Sequence, residues 1–170
     1  MKKAIKNYLA KLHDNKKKGF SLVELIIVIA IMAILVGVVA SQVLPYMEKS
    51  RKAKDQQQLS GVCTDIVTAV SQQEKEVDNF TWTITSSAVN GVNASNTDKD
   101  VLKSFSEIRG DATPSDTNGQ NQLKKVVGKL KAKASKNASG AYEMKIVFNN
   151  GNVTVTSGAH NDAKLTAESE

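Results

Sequence analysis

Glu24 is the residue whose placement most demands a chemical explanation. It directly precedes residues 25–40, a stretch of Leu, Ile, Val, Ala, Met and Gly without a single charge. An ionised carboxylate near the membrane interior costs about 2.5–3.5 kcal/mol on insertion scales, so it calls for a partner or a task. A position at the interface, hydrated by headgroups, is the plainer account, because Glu24 sits at the cytoplasmic end of the run. The other residues capable of chemistry do not converge. His13 and His160 lie near opposite ends, and Cys63 is the sole cysteine, so the sequence holds no metal-ligand spacing and no intramolecular disulfide. No nucleophile–base arrangement or phosphate loop is legible, and the chain reads as a non-enzyme without a cofactor. Asp111 and Asp116 bound a polar loop that offers oxygens to calcium, but it lacks EF-hand spacing, and a plain solvated turn is the preferred reading.

The element that must position Glu24 is a helix. Residues 20–40 form a stretch that spans roughly 31 Å at 1.5 Å per residue, close to a hydrocarbon core of about 30 Å. Lys16, Lys17 and Lys18 stand just before it, which keeps the N-terminus cytoplasmic and sends the rest outside. Three readings compete. A secretory signal peptide would use Val38, Val39 and Ala40 before Ser41 as its cleavage site, but its apolar region would be unusually long. A simple signal anchor leaves the acid unexplained. The third reading is a prepilin.

Lys18-Gly19-Phe20-Ser21-Leu22-Val23-Glu24, followed by the apolar run, resembles the processing site of the type IV pilin family. The likeness covers about the first 60 residues, and a long leader with a disulfide-free head is most similar to pilins of Gram-positive, clostridial type. The resemblance implies that a prepilin peptidase cuts between Gly19 and Phe20, where glycine leaves the backbone unhindered, and that the new amine of Phe20 is methylated. Cleavage would remove seven lysines at once. Outside the leader, sixteen basic and sixteen acidic side chains remain (23 less 7, and 17 less 1), so the overall charge of +6 belongs to the leader and not to a nucleic-acid-binding body. Glu24 then becomes a register device. By family analogy it faces the Phe20 amine of a neighbouring subunit, because a wrong offset strands buried charges at a cost of about 3–5 kcal/mol. The resemblance further implies a homopolymer, with the assembly platform and its ATPase, minor pilins and, before assembly, the membrane as partners. The location implied is the cell membrane first and an extracellular pilus later.

The helix is expected to continue beyond the membrane in four-part order: leader 1–19, polymerisation helix 20–44, amphipathic half 45–73 and head 74–170. Leu59, Val62, Cys63, Ile66, Val67 and Val70 recur at helical period and form a stripe that covers the head; Cys63 on that stripe reads as a small core residue. Gly37 and Pro45 mark a stretch of helix softening, since proline removes a hydrogen bond. Here the chain departs from the family, with Ala33 and Ser41 at the commoner positions of the glycine and proline. In the head, Phe80, Trp82 and Ile84 alternate as a strand, and residues 98–108 form a short helix stopped by Gly110. Residues 111–122 read as loop and Leu123, Val126, Val127 and Leu130 as a second helix. Tyr142, Met144, Ile146 and Phe148 make one arm of a hairpin, Val153 and Val155 the other, and the tail beyond Gly158 is expected to be mobile. The fold class is α+β, a long N-terminal helix packed on a small antiparallel sheet.

Lys124, Lys125, Lys129, Lys131, Lys133 and Lys136 form a basic run without an acid, a candidate contact patch for DNA, an anionic polymer or an acidic patch on the next subunit; a solvated helix face explains it as simply. No aromatic interleaves for base stacking, so nucleic acid is not the expected partner. The function expected is structural, the major pilin of a retractable pilus serving attachment, aggregation, biofilm or twitching motility. A secretion pseudopilin or competence pilin, and an anchored domain that never polymerises, are the alternatives.

Overall fold

The computed structural model describes residues 20–93, 96–158 and 165–169. The leader, with Gly19 and His13, and also His160 lie outside the described residues. The chain divides into two compact units between Leu44 and Pro45. Helix α1 (Leu22–Ser71) contributes to both, and Pro45 lies within it.

In the first unit, residues 22–44 are helical and exposed throughout. A helix answers all its backbone hydrogen bonds internally, the only open-ended arrangement that hydrocarbon tolerates. The side chains meet no core: Ile34 is 68% exposed and Leu44 69%.

The second unit is α+β. From Pro45 onward α1 is amphipathic and buries Leu59, Val62, Cys63 and Ile66 of the expected stripe, with Ala69 beside them, against a five-stranded antiparallel sheet, while Val67 and Val70 are half-buried at its edge. The strands are β1 (Phe80–Thr85), β2 (Val89–Asn90), β3 (Glu143–Asn149), β4 (Asn152–Ser157) and β5 (Leu165–Glu168), in the order β2-β1-β3-β4-β5. The register explains the core. Trp82 lies opposite Ile146, Ile146 opposite Val155 and Val155 opposite Ala167, so one inward row crosses four strands. Phe80, Phe148 and Val153 form the next row. Period-two alternation puts all seven on one face, and all seven are buried. Phe80 stacks on Trp82 with ring centroids 4.1 Å apart.

The hairpin closes as the sequence suggests. Asn150 (φ 48°) and Gly151 (φ 89°) both occupy the left-handed region, the requirement of the two-residue turn that matches strand twist. Helix α2 (Asn96–Ile108) buries Val101, Leu102 and Phe105. It ends as expected at Gly110, where the Gly110 N–H reaches the Glu107 carbonyl and the Asp111 N–H reaches that of Ser106.

Two expectations are overturned. Residues 116–122 are helix and not loop: α3 runs Asp116–Lys129, with Ser115 as N-cap accepting the Asn118 N–H at 3.1 Å. The polar composition hid a helix whose packing depends on Gly119, where a Cβ would overlap the Leu102 carbonyl of α2. Nor is the tail beyond Gly158 mobile throughout, because Leu165–Glu168 returns as β5, pairs with β4 and buries Ala167.

Candidate functional site

Two places concentrate unusual chemistry, one in each unit. The first is the start of α1. Phe20 lies ahead of the helix and is 85% exposed. Ser21 is the residue before the first helical turn, and Glu24 reaches back so that its Oε2 accepts the Ser21 N–H at 2.9 Å. The Leu25 N–H closes the turn on the Ser21 carbonyl at 3.1 Å. Ser-x-x-Glu is thus half of a capping box, and Glu24 serves its own helix by satisfying a donor that has no intrahelical partner. A carboxylate in the first turn also meets the positive end of the helix dipole. This local role was readable from the spacing of Ser21 and Glu24, but the sequence reading gave the acid only an intermolecular task.

Gly37 lies within the helix with no neighbour near its Cα hydrogens. The helix continues through both Gly37 and Pro45. Near this stretch the Ser41 hydroxyl donates to the Val38 carbonyl at 2.9 Å. Pro45 has no N–H, so the backbone ladder is one bond short there.

The second place is the basic run. Lys124, Lys125 and Lys129 are on α3, Lys133 belongs to a 3-10 turn (Lys133–Ser135), and Lys131 and Lys136 flank that turn. Lys125, Lys129, Lys131 and Lys133 are exposed, while Lys124 and Lys136 are half-buried. Lys136 places its ammonium 5.2 Å from the centre of the Tyr142 ring. Two of the six share a cleft. Lys129 and Lys131 join Arg51 and Lys54 of α1 around a cleft of about 420 Å³, with Tyr142 on its wall and Asp55 in its lining.

Asp55 organises this region. The carboxylate is 1% exposed and accepts the Lys131 N–H at 3.0 Å, the Ala132 N–H at 2.8 Å and the Ser135 hydroxyl at 2.5 Å. About two helix turns earlier, Glu48 accepts the Lys133 N–H at 2.6 Å. The Tyr142 hydroxyl donates to the Lys131 carbonyl at 3.3 Å. Two acids of α1 therefore fix the backbone of the basic segment, and its lysine side chains are turned outward. In the sequence Asp55 stands among polar lysines and glutamines, and its i, i+4 spacing to Leu59 was the one sign that it lies on the buried stripe. Arg51 approaches Glu48 at 3.6 Å, a loose surface pair.

Cys63 is buried, with its Sγ 3.5 Å from the Val153 carbonyl, which agrees with a small core residue. Burial first, and the Glu168 carboxylate second, push its thiol up from its ordinary value, away from thiolate chemistry. Asp111 and Asp116 do not share a site. Asp111 accepts from the Gln122 amide at 3.1 Å, and Asp116 occupies the first turn of α3. Among the described residues no group of three or more acidic, histidine or cysteine side chains is arranged to hold a metal.

Residues 14–40 match the family model described as the prokaryotic N-terminal methylation motif, which supports a type IV pilin-like class. The match spans the basic residues, Phe20, Glu24 and the apolar helix. No curated protein and no solved structure matches the chain.

Proposed function

We propose that this chain is a prepilin: a structural subunit anchored in the membrane by residues 20–44, clipped between Gly19 and Phe20, methylated at the new amine and polymerised through its N-terminal helix into a type IV pilus. The observation that carries this reading is the helix at residues 22–44. It is apolar on every side, is left exposed among the described residues and opens on a single acid, Glu24. A monomer in water does not leave so large an apolar surface uncovered. Lipid covers it first, and the same helices of other copies cover it in the filament.

Cleavage converts this surface from an anchor into an assembly element. The lysines leave with the leader, and an ammonium appears four residues before Glu24. Helices in an apolar medium associate by van der Waals packing and by polar groups that find each other. A Glu24 carboxylate paired with the Phe20 ammonium of a neighbour fixes the axial offset, because misaligned copies leave two unpaired charges. The softened stretch from Gly37 to Pro45 lets that packing adjust. The prepilin peptidase, the assembly platform with its ATPase, and minor pilins are the partners of this sequence of events. The product is the major subunit of a surface filament for attachment, aggregation or twitching motility.

Glu24 variants test the proposal. In Glu24→Ala both the cap and the charge are lost, while Glu24→Gln keeps a hydrogen-bond acceptor for the cap and removes the charge. Both should reach the membrane in normal amounts, and both should fail to form filaments. Normal filaments from Glu24→Gln would show that capping alone is the task of this acid, and normal filaments from Glu24→Ala would overturn the polymerisation scheme.

A further inference from the structure

We infer that the cationic cleft between α1 and the end of α3 receives the acidic segment 74–78 of a second copy of this chain, making a head-to-tail contact that adds to the N-terminal helix packing. The inference rests on the polymer reading above. The cleft brings together Arg51, Lys54, Lys129 and Lys131, all exposed, about one buried carboxylate. That carboxylate, Asp55, is already engaged by two backbone N–H groups and the Ser135 hydroxyl. It holds the walls in place and leaves Lys54, Lys129 and Lys131 to face outward, with Arg51 held only by its loose 3.6 Å pair with Glu48. Positive charge gathered in a concave, partly desolvated site attracts an anion more strongly than the same charge spread over a convex surface.

The occupant is argued from charge and placement. Glu74, Glu76 and Asp78 are exposed and follow closely on the end of α1, with Lys75 the one cation among them. Among the described residues none of the three carboxylates makes a hydrogen bond or an ion pair. Other exposed acids are scattered, and the half-buried Asp65 is held by Arg109 at 2.6 Å. Cleft and segment lie at opposite ends of the head-covering part of α1, since the helix runs roughly 24 Å from Asp55 to its end at Ser71. A patch at one end that fits a patch at the other is a heterologous contact, and such a contact repeats without closing on itself. It therefore suits a filament and does not suit a dimer. Complementary charge at this contact sets register and the rate of addition more than bulk affinity.

Charge exchange in the full-length chain on cells tests this. Lys129→Glu with Lys131→Glu should lower the yield of sheared filaments about tenfold, equivalent to some 1.4 kcal/mol. Glu74→Lys with Glu76→Lys should do the same, and the four changes together should restore the yield. Unchanged yields from both pairs overturn the inference. If the lysine pair leaves filaments intact but abolishes their retention on double-stranded DNA beads, the cleft serves a polyanion and the inference is equally wrong. A second measurement does not depend on tolerance of reversed charges. With Cys63→Ala as background, Lys129→Cys and Glu76→Cys in one chain should give a ladder of disulfide-linked multimers on oxidation of assembled filaments. Intact filaments without a ladder refute the contact and leave the polymer reading standing. No filaments from the unaltered chain would refute the polymer reading and this contact with it.

Discussion

Residues 22–44 and residues 45–71 belong to one helix, yet they meet the demand for burial in opposite ways. The first stretch is exposed on all sides, with Leu44 at 69%. The second buries a stripe from Leu59 to Ala69 at 8% or less within its own head. The first has almost no charge and depends on a neighbour or on lipid. The second carries charge and uses it internally, since Glu48 and Asp55 hold the segment after α3. The difference teaches that one element can serve two settings: its second portion completes the core of the head, and its first finds no cover among the described residues. The head has its own buried core, while the side chains of residues 22–44 are left exposed.

The most drastic way to break this comparison is to separate the two portions. A chain starting at Pro45 should fold, remain monomeric and melt in one cooperative transition, checked by circular dichroism and sedimentation. Aggregation or loss of the transition would mean that the head relies on residues 20–44. Next in size is Asp55→Ala. It strands two backbone N–H groups and a hydroxyl in a buried place, so the head should lose about 3 kcal/mol in denaturant unfolding, at about 1 kcal/mol or more for each orphaned donor. A loss under about 0.5 kcal/mol, the level of an ordinary surface change, would show that water replaces the carboxylate easily.

Gly119→Ala sharpens the comparison within the head. The added methyl group meets the Leu102 carbonyl, and neighbouring backbone must shift. The expected cost is about 1–3 kcal/mol, as for overpacking elsewhere, and Gly128→Ala, where nothing stands near, provides the control. The smallest effect concerns Cys63. Its folded-state thiol stays protonated beyond the ordinary value of 9.0, whereas the unfolded thiol ionises near 8.5. The stabilisation is thus complete below about pH 8.5 and fades as pH rises through the folded value. Unfolding titrations at pH 7 and pH 10 should show a fall that a Cys63→Ala variant lacks; equal falls in both chains would assign the effect to other groups.

Much of the fold was legible because it rests on strong periodic signals. Phe80, Trp82 and Ile84, the Asn150-Gly151 turn and the stripe on α1 each announce their element locally. What escaped depends on tertiary context. Residues 116–122 carry Asp, Thr, Asn, Gln and Gly character, and they are helical because Ser115 caps the start and Gly119 permits contact with α2. Leu165–Glu168 is too short to alternate visibly, and its reason to exist is the open edge of β4. The candidate site divides the same way. Glu24 and its apolar surroundings stand out in any reading. Asp55 does not, since a polar residue among Lys52, Lys54 and Gln56 looks solvated until the segment it binds is folded against it. The six lysines were correctly seen as a run, but chain proximity did not foretell that only Lys129 and Lys131 share a cleft with Arg51 and Lys54.

Mass spectrometry of this chain, recovered from filaments sheared off the cell surface, decides the central claim. A chain that begins at a methylated Phe20 is the result expected of a helix that enters the polymer carrying its own ammonium. A chain that retains Met1, or one that starts at Ser41 after loss of the whole apolar stretch, would contradict it.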